Sequence, residues 1–309
     1  MSSISVIVPV YNSEGSLPLL VERLQPILAD HASAAEIILV NDGSRDQSWQ
    51  VIGDLVRQYD NVRGMNLMRN YGQHNALLTG ILAARYDLIV TIDDDLQHPP
   101  EEIPRLLEQL AEGYDVVYGT PQHEQHGLWR DMASRITKLA LQSAMGAETA
   151  RSVSAFRAFR TPVREAFKHF QGPFVSIDVL LTWGTTRFSA VPVAHKPREI
   201  GQSNYTFRKL VTHAVNMATG FSIVPLQLAS WIGFVFTLFG LFVLIYVVGR
   251  VLLQGSAVPG FPFLASAISI FSGAQLFALG IIGEYLARMY FRSMGRPYSV
   301  TREQIGFDR

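Results

Sequence analysis

The most constraining feature of this chain is an apolar run, Leu88-Ile-Val-Thr-Ile92, that ends in three consecutive acids, Asp93, Asp94 and Asp95, followed by Leu96-Gln97. Such a run reads as a fully buried strand. Carboxylates at the C-terminal end of a buried strand stand where open α/β sheets bind ligands. Neighbouring carboxylates disfavour one another's charge, so a fold that keeps three together at a sheet edge calls for a positive occupant. The acids and the Gln97 amide are hard oxygen donors, which suits Mg2+ or Mn2+ better than zinc. The competing reading is a solvated acidic turn that caps the next helix, because Pro99-Pro-Glu-Glu102 is a good helix start.

Net charge and cysteine content narrow the function classes. The formal charge is +0 and the pI about 7.1, so no basic footprint argues for nucleic acid. Cysteine is absent, which excludes disulfides, Cys-ligated zinc and thiol catalysis and is compatible with a reducing compartment. The N-terminal Met1-Ser-Ser-Ile-Ser5 carries no basic region and the apolar stretch after it breaks at Pro9, so no signal peptide is expected.

Past the middle, charge disappears. Leu210 to Gly249 holds no Asp, Glu, Lys or Arg, and after Arg250 the next such residue is Glu284. Within this stretch Leu228–Gly249 and Phe263–Ile282 each reach the roughly 20 residues needed to cross a hydrocarbon core. A buried hairpin of a soluble protein is the alternative, made less attractive by two such runs in tandem. Arg208 and Lys209 precede the first span and Arg288, Arg292 and Arg296 follow the second, so the positive-inside rule puts both ends on the cytoplasmic side. Glu284 and Arg288, four apart on one helical face, are expected to pair. Before the first span, Phe207, Leu210, Val211, Ala214, Val215 and Ala218 recur at helical spacing opposite Arg208, Lys209, Thr212 and His213, as in a helix lying in the membrane interface.

The first half alternates strands with helices, which predicts a mostly parallel sheet covered on both faces. Strands are expected at Ile4–Val10, Glu36–Val40, Val62–Leu67, Asp87–Ile92 and Asp115–Tyr118. Asp46–Tyr59 has the spacing of an amphipathic helix, a second helix should run from Pro100 to near Gly113, and Thr161-Pro162 should open another as N-cap and first residue. Residues 120–135 are polar and His-rich, like a loop entering a helix. The expected division is a catalytic domain at 1–204, an interfacial helix at 205–224, a two-span hairpin at 225–290 and a cytoplasmic tail at 291–309.

Four loops should gather at the C-terminal edge of this sheet: Pro9-Val-Tyr-Asn12, Asn41-Asp-Gly-Ser44, Arg69-Asn-Tyr-Gly-Gln-His74 and Asp93 to Gln97. Asp42 is a candidate acceptor for a nucleobase or ribose, although Asp-Gly-Ser is also ordinary turn chemistry. Neither a G-x-G-x-x-G nor a G-x-x-x-x-G-K-[ST] sequence occurs, so phosphate would be held by a metal on the acids rather than by a glycine-rich loop. Arg130, Arg135, Arg157 and Arg198 are the candidate cations for phosphate not on the metal, each weighed against a solvated surface charge.

Val8-Pro-Val-Tyr-Asn12, Val40-Asn-Asp-Gly-Ser44, Arg69-Asn-Tyr-Gly-Gln-His74, Asp93-Asp-Asp-Leu-Gln97 and Gly201-Gln-Ser-Asn-Tyr205, in that order and followed by two spans, resemble the family 2 glycosyltransferases of the polyprenyl-phosphate type. That group includes undecaprenyl-phosphate aminoarabinose transferases and dolichyl-phosphate mannose synthases. The resemblance implies a GT-A fold, a UDP-, GDP- or TDP-sugar donor, a Mg2+ or Mn2+ ion and a polyprenyl phosphate acceptor in a lipid bilayer. By position it implies that Asp42 reads the base, Pro9, Tyr11, Asp93 and Asp94 border the nucleotide, and Asp95 with Gln97, beside Asp93, takes the metal. It also implies phosphate contacts by Arg130, Ser134 and Arg198, with Arg135, Arg157 and Ser203 as further candidates.

Three departures from the family pattern stand out. Ser13 occupies the place where the family often has Glu after Tyr-Asn, moving the acid to Glu14. Arg151-Ser-Val-Ser-Ala155 holds none of the acid expected before Phe156-Arg157. Asn204 replaces a Lys, leaving Arg208 and Lys209 to meet the lipid phosphate. A missing acid does not forbid the reaction, since a phosphate monoester with a second pKa near 6 is largely dianionic at neutral pH and can attack the anomeric carbon itself. Direct displacement with inversion is therefore expected. A processive polysaccharide synthase is the nearest rival, weakened by the absence of Gln-x-x-Arg-Trp and by only two expected spans. A non-catalytic nucleotide-sugar-binding membrane subunit is the rival from another class. Whether the chain acts alone or as a homo-oligomer is left open, and so is the sugar.

Overall fold

The computed structural model describes residues 2–121, 152–172, 175–195, 224–254 and 260–307. Its first 121 residues alternate strand and helix: β1 (Ile4–Val10), α1 (Leu17–His31), β2 (Ala35–Asn41), α2 (Ser48–Gln58), β3 (Val62–Leu67), α3 (Gln73–Ala83), β4 (Leu88–Thr91), a 3-10 turn and α4 (Ile103–Ala111), and β5 (Val116–Pro121). After residue 151 come β6 (Arg157–Arg160), a 3-10 turn at Thr161–Ala166, α5 (Ile177–Gly184) and β7 (Phe188–Val193). The long helices α6 (Val224–Gln254) and α7 (Phe261–Ser293) and a last strand, β8 (Thr301–Ile305), complete the described chain. All five strands expected from the sequence form, with ends displaced by no more than three residues.

Eight described strands make one sheet in the order β7-β5-β6-β4-β1-β2-β3-β8. Its centre, β4-β1-β2-β3, is parallel, while β6 and β8 run antiparallel to their neighbours. Central parallel strands are covered on both faces, which is why they read as continuous apolar runs. Successive residues feed opposite cores. Val6, Val8, Ile37, Leu39 and Val90 pack with α1, α2 and α4, whereas Ile7, Ile38, Val40 and Ile89 pack with α3 and α5. Near the N-terminal ends of these strands, buried Glu36 accepts from the Ser5 hydroxyl at 2.5 Å and the Arg85 amide at 2.8 Å, and pairs with buried Arg63 at 2.8 Å. Removing one partner of such a pair strands a buried charge, so it pins β1, β2 and β3 at the end away from the acidic loop.

Two expectations change. Thr161 does not cap a helix: it is the first residue of the 3-10 turn, and its hydroxyl donates to the Tyr86 carbonyl, tying β6 back to the start of β4. The segment expected as a tail after residue 291 contains a strand. Thr301–Ile305 returns to the sheet as β8, antiparallel to β3, with Ile305 opposite Gly64 and the Met68 amide donating to the Val300 carbonyl at 2.9 Å. The sequence hides this strand because Arg302, Glu303 and Gln304 are exposed and its pattern is polar, as suits a short edge strand.

The helices α6 and α7 contain both expected spans and run past them. Pro225–Arg250, of mean hydropathy 2.5, and Ile270–Ser293, of mean hydropathy 1.4, are long and apolar enough to cross a membrane, and their most apolar windows are not buried within the protein. The helices touch through Phe271, whose ring lies 5.8 Å from Phe236 and 6.5 Å from Phe239, above Gly240. Glu284 and Arg288 pair at 2.7 Å as their spacing predicts, so α7 carries charge without ending there. Because β8 pairs with β3, the chain leaves the sheet domain, runs through the hairpin and returns to the same domain.

A Cβ on Gly64 would lie 2.6 Å from Ile52 Cγ2 and 2.9 Å from Ile305 Cγ1, so α2 and β8 both close onto β3 only over a glycine. Gly64→Val should destabilise the protein by about 1–3 kcal/mol, the usual cost of overpacking. Thermal unfolding of detergent-solubilised protein reads this directly, and an unchanged midpoint would contradict the packing described.

Candidate active site

Strand register brings the expected loops together. Val10 lies opposite Asn41, Asn41 opposite Asn66, and Ile7 opposite Thr91, so the C-terminal ends of β1, β2, β3 and β4 open side by side. Buried Asn41 and Asn66 are joined across β2 and β3 by a 2.9 Å side-chain hydrogen bond just below this edge. The loop after β2 approaches the loop after β3 so closely that a Cβ on Gly43, at φ +66°, would lie 2.6 Å from the Asn70 amide nitrogen. Only glycine combines that backbone conformation with that clearance.

Each acid has its own support. Asp93 accepts from the Gln73 side-chain amide at 2.7 Å, at the first turn of α3. Asp94 accepts the Tyr11 amide at 3.2 Å and the Ser13 hydroxyl, both from the loop after β1. Asp95 accepts the Gln97 amide at 3.1 Å in a tight turn over Leu96. Leu96 itself sits at φ +59° with a buried side chain. A left-handed leucine costs about 1–3 kcal/mol and persists only where its surroundings fix it, here by burial in the core beneath the acids. The acidic turn is thus a built structure rather than a solvated cap.

Charge in this cluster is held back. Burial first, then the Asp95 and Asp94 carboxylates, raise the Asp93 pKa to about 7, and burial raises that of Asp94 to about 6 against the hydrogen bonds from Ser13 and Tyr11. A bound cation would reverse both effects. Asp42, almost fully buried, accepts the Tyr71 amide at 2.6 Å and the Gly72 amide at 2.8 Å, and burial raises its pKa. Its carboxylate therefore shapes the loop after β3 as well as standing at the edge. Glu14, the displaced acid, accepts the Gln47 amide at 2.8 Å and so braces the start of α2.

Pro9, Tyr11, Asp42, Asp93, Asp94, Asp95 and Gln97 are thus brought to one edge of the sheet. Arg157 is not open to a lipid phosphate in this arrangement. It is 2% exposed, its guanidinium donates to buried Asp178 and lies 5.8 Å from the Tyr118 ring, and the Tyr118 hydroxyl donates to the same carboxylate at 3.3 Å. The isolated sequence gave no sign of Asp178 as its partner, because the two meet only through the packing of α5 on β5 and β6. Arg130, Ser134, Arg135, Arg198, Ser203, Arg208 and Lys209 lie outside the described residues, as does the expected interfacial helix.

The sequence reading also passed over neighbours of the acids. Ser13 and Gln73 are the clearest, although both lie in or next to the quoted loops. His98 is another: buried, stacked on Phe156 at 5.4 Å and edge-on to His195 at 5.1 Å, it is held neutral by a pKa lowered to about 4, through burial and then His195. Among the described residues, no three His, Asp or Glu side chains already converge as a metal shell.

A family model described as "Glycosyl transferase family 2" matches residues 5–169, which include every loop of this edge. The chain belongs to glycosyl transferase family 2. It is 38% identical over 297 residues to the undecaprenyl-phosphate 4-deoxy-4-formamido-L-arabinose transferase of Pseudomonas aeruginosa (strain LESB58), covering 95% of this chain and 88% of that protein. It is 35% identical over 312 residues to the transferase of the same name from Yersinia enterocolitica serotype O:8, covering 100% of this chain and 95% of that protein. Among solved structures, the glucosyl-3-phosphoglycerate synthase of Mycobacterium tuberculosis, in complex with Mn2+ and UDP-glucose, superposes with a TM-score of 0.52 at 17% identity, over 71% of this chain and 77% of that one. At that identity the likeness shows the fold, and the fold is the GT-A type. This protein is a glycosyltransferase, as the motif order implied.

In this glycosyltransferase a cation held by the acidic turn would compete with the proton on Asp93. Mn2+ affinity should rise about tenfold per pH unit below about 7 and level off above it, because the metal must displace that proton. Stability without metal should move the other way: between the ordinary Asp pKa and 7 the folded state binds more protons than the unfolded, so stability falls as pH rises through that window. Calorimetric titration of Mn2+ from pH 5.5 to 8 checks the first, and Asp93→Asn should flatten the profile. A pH-independent affinity in the unsubstituted enzyme would refute it.

Proposed function

We propose that this glycosyltransferase moves a single sugar from a nucleotide-sugar donor to a polyprenyl phosphate at the cytoplasmic face of the membrane, with a divalent cation and with inversion at the anomeric carbon. The observation that carries the reading is the joining of two features in one domain: an acid-lined strand edge, and an apolar helical hairpin whose far end returns to the same sheet as β8. A soluble acceptor gives no reason for that hairpin. Near-full-length likeness to two proteins named as undecaprenyl-phosphate sugar transferases supports the same acceptor class.

The residues fit a divalent cation by donor chemistry. Asp95, with Asp93 and Gln97 beside it, offers hard oxygens, and burial and then the neighbouring carboxylates raise the Asp93 pKa to about 7, an effect that a cation would oppose. When bound, Mg2+ or Mn2+ would neutralise charge developing on the diphosphate leaving group. Asp42, by fixing the Tyr71 and Gly72 amides, would shape the pocket for the base, and Tyr11 and Asp94 would border the nucleotide. Arg130, Ser134, Arg135, Arg198, Ser203, Arg208 and Lys209 are assigned to the donor and lipid phosphates. A phosphate oxygen of the acceptor attacks the anomeric carbon as the bond to the diphosphate breaks, so the protein need not take a proton. Its work is alignment and stabilisation of charge. Arg157 acts one layer below, where its positive charge favours the ionised form of Asp93.

Purified protein in detergent, incubated with Mn2+ or Mg2+, a short-chain polyprenyl phosphate and a panel of nucleotide sugars, should give sugar-phosphate-lipid by mass spectrometry. Asp95→Ala should lower the rate at least about a hundredfold, as loss of a key electrostatic contact does. Product NMR should show inverted anomeric configuration. Retained configuration would exclude direct displacement, and turnover without lipid phosphate would exclude the acceptor.

A further inference from the structure

The cytoplasm-facing end of α7 does not simply leave the hairpin. Its 33 residues make a helix of about 50 Å, well beyond a hydrocarbon core of about 30 Å. Exposed apolar side chains nonetheless continue along the last turns, through Leu286, Met289, Tyr290 and Phe291 to Met294, with exposed Arg292 among them. Long basic side chains between apolar ones are the pattern of a segment at the headgroup level, where the charge reaches for phosphate and the stem stays in the apolar layer.

Among the described residues, this strip meets the catalytic domain at Phe170 and Gln171. The Arg292 guanidinium lies 5.7 Å from the centre of the Phe170 ring, and Phe170 is in ring contact with Trp183 at 5.8 Å. Gly295, just after α7, comes alongside Gln171. Phe170 is buried, but Trp183, at the end of α5, is 47% exposed. A lone exposed tryptophan is unremarkable on a soluble surface. Here it continues an apolar strip that begins on a helix long enough to span the bilayer, and it is coupled to that strip by an arginine on an aromatic face.

We infer that Trp183 and Arg292, braced by buried Phe170 between them, form a second membrane contact on the catalytic domain, whose occupant is the phosphate-bearing interfacial layer of an anionic bilayer. The indole of Trp183 enters that layer and Arg292 meets lipid phosphate beside it. The inference rests on the reading of α6 and α7 as membrane-spanning and adds to it a fixed seat for the sheet domain on the membrane surface. Such a seat limits how far the acid-lined edge can tilt from the lipid that supplies its acceptor.

Full-length protein reconstituted in phosphatidylglycerol and phosphatidylcholine vesicles, with bromines placed shallow or deep on the acyl chains, tests this by tryptophan quenching. The emission lost in Trp183→Phe, which keeps an aromatic ring against Phe170, reports Trp183, and that lost in Trp231→Phe reports the hairpin. Shallow bromines should quench the Trp183 share by about half, and more than deep ones do, as expected of an interfacial indole. An unquenched Trp183 share beside a quenched Trp231 share would overturn the seat and leave the spanning hairpin standing. If both shares are unquenched, the membrane reading falls with it.

Discussion

Mutual repulsion among Asp93, Asp94 and Asp95 is the constraint around which the rest of the molecule is arranged. Three adjacent carboxylates in a half-buried turn are unfavourable, and each is given a different neighbour: the amide of Gln73, the hydroxyl of Ser13 with the amide of Tyr11, and the amide of Gln97. Those neighbours come from the loops after three different elements, so β1, the start of α3 and β4 must all be in register before the acids are supported. Even so, two of the three keep raised pKa values, at about 7 and about 6. Burial is the larger cause of both, with repulsion from the neighbouring carboxylates added to it, and both oppose the charged form that a cation would favour. Function here is stored as an incompletely satisfied electrostatic problem.

Beneath the acids the structure is rigid in a way that suits this. Leu96 is forced into a left-handed conformation by its burial, Gly43 lets two loops close to backbone contact, and Arg157 with Asp178 and Tyr118 fills the layer under β4 with a fully engaged polar cluster. Electrostatic catalysis depends on groups that do not have to reorganise when charge moves. A loop held by Asp42 through two backbone amides, rather than by long flexible side chains, meets that requirement.

Much of this was legible in the sequence because it was written in periodicity. β1 and β3 were read at their observed boundaries, and the acidic turn was placed at the strand end it occupies. Elements carried by few or polar residues were not. β6, β7 and β8 went unseen: β6 is four residues long, Pro192 interrupts the apolar pattern of β7, and β8 exposes Arg302, Glu303 and Gln304 with Ile305 as its one apolar residue. Thr161 had the chemistry of a cap, yet the Tyr86 carbonyl outcompeted a helix start for its hydroxyl. Arg157 looked like a phosphate ligand because a sequence shows charge and not the partner that absorbs it. Asp178 is twenty-one residues away and meets it only once α5 has packed.

The return of β8 has a consequence for how the molecule is made. Strands β1 to β7 precede α6 and α7 in the chain, whereas β8, which covers the edge of β3, follows them. Until β8 has been made, β3 stands as an open edge of a parallel sheet, the kind of surface that recruits foreign strands. Completion of the sheet thereby waits until both long helices have been made.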